Sequence, residues 1–178
     1  WREVVRDVRF RKAVSLGIDR SEIIRNVYYN LGEPTSLVPS EYNPSEANRL
    51  LDEVGLSERD EEGWRLGPDG KPFTIHFESS RHDADLLPAT ELVVEQLKEL
   101  GLKTDMREIE TSLWSQRNAA NQLQATVHWC EDKGFVPYGL FDLSITAPLW
   151  HQWIETKGKE GEEPPDEVKR FYDLRTAL

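Results

Sequence analysis

The sequence predicts an α/β or α+β lobe with a mixed sheet flanked by helices. Three observations carry that expectation. Helical patterns come first, short strands then alternate with helices in the order β-α-β-α-β, and helical patterns close the chain. The 178 residues suit one domain or one lobe of a larger protein, and the expectation is a single domain over 1–178. No internal repeat or low-complexity tract interrupts it.

Val5 to Ile18 carries apolar residues at helical spacing, with Arg9, Arg11 and Lys12 between them. Asp19 to Glu22 reads as a capping box. The Asp19 carboxylate accepts a first-turn amide, and Glu22 reaches back to the amide of Asp19. A second helix runs through Ile23, Ile24, Val27 and Tyr28 until Asn30 and Gly32 stop it. Glu33 to Pro39 is an extended link, because proline disfavours helix before it. Asn43 and Pro44 start a third helix, with Asn as cap and Pro at the first helical position. Leu50, Leu51 and Val54 form its apolar stripe, and Gly55 ends it.

Trp64 to Leu66, the turn Gly67-Pro-Asp-Gly70 and Pro72 to Phe77 read as a hairpin. Phe73, Ile75 and Phe77 alternate with Thr74 and His76, as a half-buried strand requires. Asp83 to Leu100 is the clearest amphipathic helix, closed by Gly101. Lys103 to Ile109 is a short strand, Thr111 to about Gln122 a helix, and Gln124 to Asp132 begins as a third strand. Asp132 to Pro148 is irregular, and such stretches are often functional. Leu149 to Thr156 is helical, Gly158 to Glu163 a charged link, and Pro164-Pro-Asp-Glu opens the last helix.

Composition excludes several function classes. The formal charge is −11, which argues against nucleic acid as a partner, since phosphate binding needs a basic face. No stretch approaches the roughly 18 apolar residues of a membrane span. Cys130 is the single cysteine, so neither an internal disulfide nor a thiolate metal site is expected. His76, His82, His128 and His151 have no ligand spacing, and no metal or cofactor is expected. Glycine signatures of nucleotide binding, the serine-hydrolase elbow and the zinc-hydrolase pair are all absent. The chain starts at Trp1 without a signal peptide and stops within a helical pattern, so a fragment is expected.

The segment ending in Trp129, Cys130, Glu131 and Asp132 is the candidate ligand-facing edge. In open α/β folds, ligands sit just outside the carboxyl ends of strands. The alternative is that Trp129 packs in a core and the two acids start a solvated turn. Glu131 and Asp132 make a poor glycosidase pair, because neighbours on a strand point to opposite faces. A binding module asks for less: apolar and aromatic walls with a few placed polar groups. Six tryptophans are present, and Trp114, Trp129, Trp150 and Trp153 gather in the later half. They either stack on a solute or belong to the core, with Trp114 and Trp153 the better core candidates.

One series of motifs adds a family resemblance. Asp7-Val-Arg-Phe-Arg-Lys-Ala-Val-Ser-Leu-Gly-Ile-Asp-Arg20 with Glu22-Ile-Ile24 resembles a segment of the family 5 extracellular solute-binding proteins of bacterial ABC importers. Further landmarks follow in order: Gly32-Glu-Pro34 with Pro39, Tyr42-Asn-Pro-Ser-Glu-Ala47 with Leu50 and Leu51, Asp69-Gly70, and Gln96-Leu97 with Leu100-Gly101. The resemblance covers about 5–132 and 147–175. It implies a periplasmic-binding-protein-like type II lobe, making up most of the C-terminal lobe of a two-lobed protein. That protein would close on its solute, an oligopeptide or else an oligosaccharide or another small organic molecule, and deliver it to a membrane permease. It would be monomeric and non-enzymatic, and would sit in the periplasm or on the cell surface as a lipoprotein. The rival from another class is a carbohydrate-active enzyme or its accessory domain.

The resemblance also assigns roles. Asp132 matches an acid that pairs with a peptide's terminal amine, and a desolvated ammonium does need a paired carboxylate. Trp129 becomes an apolar wall, with Cys130, His128 and Trp150 as further contacts, and Glu131 faces away. His128 stands where the family has Gly, and Lys133 to Tyr138 depart from the usual sequence.

Overall fold

The computed structural model describes residues 1–34, 40–128 and 143–176, with side chains to 174. These residues fall into two compact units. The first comprises Trp1–Thr111 and Gln124–His128, and the second Ser112–Leu123 with the described part of Trp129–Leu178. The fold is mixed α/β.

The first unit opens with α1 (Arg2–Arg6) and α2 (Val8–Leu16). The sequence pattern reads as one helix here, and the break lies at Asp7. Its backbone is extended (ψ 128°), and its side chain accepts from the Arg9 amide at 2.8 Å, so it caps a new helix. The Arg9 guanidinium holds the Asp7 carboxyl down at about 2. Helix α3 (Arg20–Asn26) begins at Asp19, whose carboxylate accepts from Ser21 and Glu22 at 2.9 and 3.1 Å. The expected reach of Glu22 back to Asp19 is replaced. The Asp19 amide donates to Gln96 Oε1 at 3.1 Å, and Gln96 Nε2 donates to Glu22 at 2.6 Å. A side chain from another helix thus completes the cap.

After α3, Tyr29 and Asn30 turn the chain at φ 54° and 63°. The Tyr28 hydroxyl donates to Asp85 Oδ2 at 2.8 Å. Burial first, and Asp85 second, push the Tyr28 phenol up to about 12. Helix α4 (Pro44–Glu53) starts as its sequence requires, with Asn43 accepting from Glu46 at 3.1 Å and Pro44 in the first turn. It packs on α2.

The sheet consists of β1 (Thr74–Ser80) and β2 (Lys103–Ile109), paired in parallel from Thr74↔Lys103 to Ser80↔Ile109. Parallel neighbours need a crossover. That crossover is α5 (Leu86–Glu99), which packs on both strands. It starts later than its apolar pattern implies, with Pro88 inside its first turn, where a missing N–H is harmless. Antiparallel pairing appears as the isolated bridges Arg59↔Arg65 and Leu66↔Pro72, the latter closing the expected turn. Among its described residues the expected third strand shows a single parallel bridge, Phe77↔Ala125. The Glu78 amide donates to Ala125 O at 3.1 Å, but the His76 amide goes to the Gln124 side chain at 3.1 Å. The Gln124 side chain thus takes the rung at the amino end of this segment, and Trp129 to Asp132 lie outside the described residues.

The core joins Phe10, Ala13 and Leu16 of α2, Leu50 and Leu51 of α4, Phe73, Ile75 and Phe77, and Val93, Val94 and Leu97 of α5. Phe10 meets Phe73 edge-on, with centroids 5.5 Å apart. Within it lies a charge. The Arg65 side chain is 2% exposed. It donates to Leu100 O at 2.8 Å, to Asn48 Oδ1 at 2.8 Å, and to Leu56 O and the Asp52 carboxylate. Gly101, at φ 81°, makes the turn beside it, and a Cβ there would lie 1.9 Å from Arg59 Nη1.

The second unit contains most of α6 (Thr111–Ala119), then α7 (Leu143–Thr146), α8 (Pro148–Glu155) and α9 (Asp166–Thr176). Trp114 is buried, and Asn118 donates to Ser144 O at 2.9 Å. Lys169 Nζ lies 5.8 Å from the Trp153 ring centroid, and Gly158 packs against the same ring. Trp114 therefore has the buried position expected of a core residue, whereas Trp153 is half-buried on α8.

Two outcomes are expected. Arg65→Met takes the guanidinium from Leu56 O and the Asp52 carboxylate and leaves Leu100 O and Asn48 Oδ1 to Arg59 alone, and should cost about 3 kcal/mol in denaturant melts. Arg65→Lys should recover little of that, because an ammonium cannot reproduce the guanidinium fork. The second concerns pH. Below pH 10 the Tyr28 phenol is protonated in both folded and unfolded chains. As pH rises from 10 towards about 12 the unfolded chain ionises first, so the stability this phenol contributes is lost over that interval. Tyr28→Phe should flatten the melting temperature between pH 10 and 12, and ultraviolet titration should find one phenol fewer ionising late.

Candidate functional site

The strands of the first unit run parallel, so their carboxyl ends share one edge. Ligand sites of open α/β sheets lie at such edges. The residues that end β1 differ in character from those that start it. Ile75 and Phe77 are apolar and buried, whereas Glu78, Ser79 and Ser80 are polar and buried. The Thr90 hydroxyl donates to Ser79 Oγ at 3.3 Å, which puts Ser79 on the α5 side. By alternation Ile75 and Phe77 share that side, while His76, Glu78 and Ser80 take the other. His76 there pairs across the strands with Asp105 at 2.8 Å.

Past β1 the chain turns through Arg81, His82 and Asp83. Arg81 pairs with Glu108 at the end of β2, with Nη2 to Oε2 at 3.0 Å. His82 Nδ1 lies 3.0 Å from Ser80 Oγ, and its Nε2 lies 3.0 Å from Asp83 Oδ2. The His82 ring also stacks on His128, with centroids 5.3 Å apart and planes 26° apart. The Tyr28 to Asp85 hydrogen bond ties the end of α3 to this same turn. The result is an edge lined by hydroxyls, imidazoles, carboxylates and one guanidinium. It can hold a polar solute by hydrogen bonds and ion pairs. Among the described residues no three His, Cys, Asp or Glu side chains are grouped to hold a metal ion.

Of the residues singled out from sequence, His128 lies on this edge, directly before Trp129. Trp129, Cys130, Glu131 and Asp132 fall outside the described residues. Trp150 is half-buried on α8, in the second unit. Sequence reasoning passed over Ser80, His82 and Asp83. The available signal was the change from apolar to polar at the end of the Phe73 to Phe77 alternation, immediately before a turn. A separate hollow of about 400 Å³ lies at the opposite end of β1, lined by Trp1, Pro72 and Thr74 among others.

Among the described residues no helix is long and apolar enough to cross a membrane. No match was found among curated proteins. Solved structures do match. An oligopeptide-binding protein, OppA, shares 30% identity and a TM-score of 0.80 over 99% of this chain and 33% of its own. A mannohexaose-bound periplasmic oligopeptide-binding protein from Thermotoga maritima has 19% identity and a TM-score of 0.64, covering 75% of this chain and 29% of its own. NikA from Brucella suis, in complex with Fe(III)-EDTA, has 20% identity and a TM-score of 0.65 over 94% and 38%. The chain therefore spans about a third of the length of the proteins it matches. The latter two show the shared fold, that of type II periplasmic-binding-protein-like proteins. The family model described as bacterial extracellular solute-binding proteins, family 5 middle, matches residues 2–146. On that match the chain belongs to the family 5 bacterial extracellular solute-binding proteins.

Proposed function

We propose that the chain is most of the C-terminal lobe of the solute-binding component of an ABC importer. The whole protein binds an oligopeptide in a cleft between two lobes and hands it to a membrane permease. The observation that carries this reading is the family match over residues 2–146. The 30% identity to an oligopeptide-binding protein across nearly the whole chain favours peptide as the solute. The protein works outside the cytoplasmic membrane, in the periplasm or as a cell-surface lipoprotein. It acts as a monomer and releases its solute unchanged rather than turning it over.

In this reading the carboxyl edge of β1 and the segment after His128 face the cleft. Asp132 pairs with the terminal amine of the peptide, which supplies the counter-charge that a desolvated ammonium requires. Trp129 forms an apolar wall, with His128, Cys130 and Trp150 as further contacts. An oligosaccharide is the second reading, because the mannohexaose-bound relative has the same fold.

Mass spectrometry of solute co-purified with the full-length protein tests the proposal. A peptide supports it, a sugar moves it to the second reading, and hydrolysed product from added oligosaccharide sinks it. Asp132→Ala in full-length protein should weaken peptide binding by about 2–5 kcal/mol, as for a buried charge pair that loses one partner. Calorimetric titration with a free-amine peptide and its N-acetylated form checks this. The unsubstituted protein should discriminate between the two, and the Asp132→Ala protein should not.

A further inference from the structure

Three parts of the carboxyl edge meet at His82. Its Nδ1 lies 3.0 Å from Ser80 Oγ at the end of β1, and its Nε2 lies 3.0 Å from Asp83 Oδ2. Its ring stacks on His128, with centroids 5.3 Å apart and planes 26° apart. Ser80 is 2% exposed, so the hydroxyl beside the ring is itself fixed in the packed end of the strand. A ring with a partner at each nitrogen and another across its face has its orientation set before any solute arrives. Imidazole has only two polar ring atoms, and both are engaged here, so His82 has little to offer a solute directly.

His128 is the other half of the stack. Just before it, Ala125 and Val127 pack against the core, and Ala125 bridges Phe77. His128 is the next residue beyond that packed stretch and is half-buried. A solute that had to order a mobile side chain at this point would bind less tightly, because ordering costs conformational entropy. The stack lowers that cost. Its separation and angle lie in the range that aromatic pairs favour, so the His82 ring restricts where the His128 ring can go. We infer that His82 is a positioning residue of the solute site, which holds the His128 ring by stacking in the orientation that meets the solute. The inference rests on the reading above in which His128 contacts the solute. The two histidines have unequal roles: Ser80 and Asp83 fix His82, His82 fixes His128, and His128 touches the solute.

The test is a double-mutant cycle. Full-length protein is titrated calorimetrically with free-amine tetrapeptides and with linear oligosaccharides, and the tighter binder serves as the probe. His82→Gln keeps a polar partner for Ser80 but has no ring, whereas His82→Phe keeps a ring without its nitrogens. His82→Gln should weaken probe binding about tenfold, within the range of coupling between residues in contact. His82→Phe should recover most of that loss. In a His128→Ala background no ring is left to hold, and His82→Gln should then add less than about a twofold loss. A loss in His82→Phe as large as in His82→Gln would assign His82 to its contacts with Ser80 and Asp83 and overturn the inference. Equal losses from His82→Gln in the two backgrounds, or no loss in either, would overturn it while leaving the transport reading intact. Where His82→Gln does not fold, His82→Phe decides alone, since stacking needs only the ring. Binding of an oligosaccharide but no peptide would overturn the peptide reading, and the same cycle on that sugar would judge His82. Binding of neither would overturn both.

Discussion

A single buried cation holds the first unit together. Arg65 ties α4, through Asn48 and Asp52, to Leu56 in the following loop and to Leu100 at the end of α5. Its own amide donates to Gly101 O at 2.7 Å, so both main chain and side chain grip the same turn. Burying a guanidinium is costly unless every donor finds an acceptor. Here the acceptors are the Leu56 and Leu100 carbonyls, the Asn48 side chain and the Asp52 carboxylate. Arg59 joins from the surface and donates to Leu100 O and Gly63 O. Burial, reinforced by the neighbouring Arg65 charge, lowers the pKa of Arg59 from its ordinary value. The Arg59 guanidinium and the Gly63 carbonyl it binds explain why Gly101 has no room for a side chain.

This anchoring reaches the candidate site through α5. With the carboxyl end of that helix fixed, its body lies along β1 and β2 and holds them in register. The Thr104 hydroxyl reinforces the contact by donating to Val94 O at 2.8 Å. The amino end of α5 is then fixed as well, and with it the turn from Arg81 to Asp85. The arrangement divides labour along β1. The first half contributes apolar side chains to the core, and the second half contributes polar ones to the edge.

Much of this was legible in local sequence. Asn43-Pro44, Asp19 and Gly101 act where their chemistry places them, because caps and left-handed turns are decided by a few neighbouring atoms. The motif series also identified the family, which no single motif could have done. What sequence missed depends on partners far along the chain. Asp7 breaks a helix that periodicity treats as continuous, because capping the next helix competes with continuing the first. Gln96 displaces Glu22 from its expected partner across 77 positions. Gln124 spends its side chain on a rung that a strand's main chain would fill. The edge residues Ser80 and His82 carry no motif, and their grouping arises only when parallel strands end together.

The Gln96 amide has a kinetic consequence. The first turn of α3 is completed by a helix that enters the chain some seventy residues later. Asp19 and Glu22 can therefore reach their final partners only after α5 has docked. Closing so long a loop is slow relative to forming a turn. The start of α3 belongs among the late-forming parts of the unit, and the Asp19 amide is a reporter of that docking. Its protection from hydrogen exchange depends on α5 remaining in place, even while the rest of α3 stays helical.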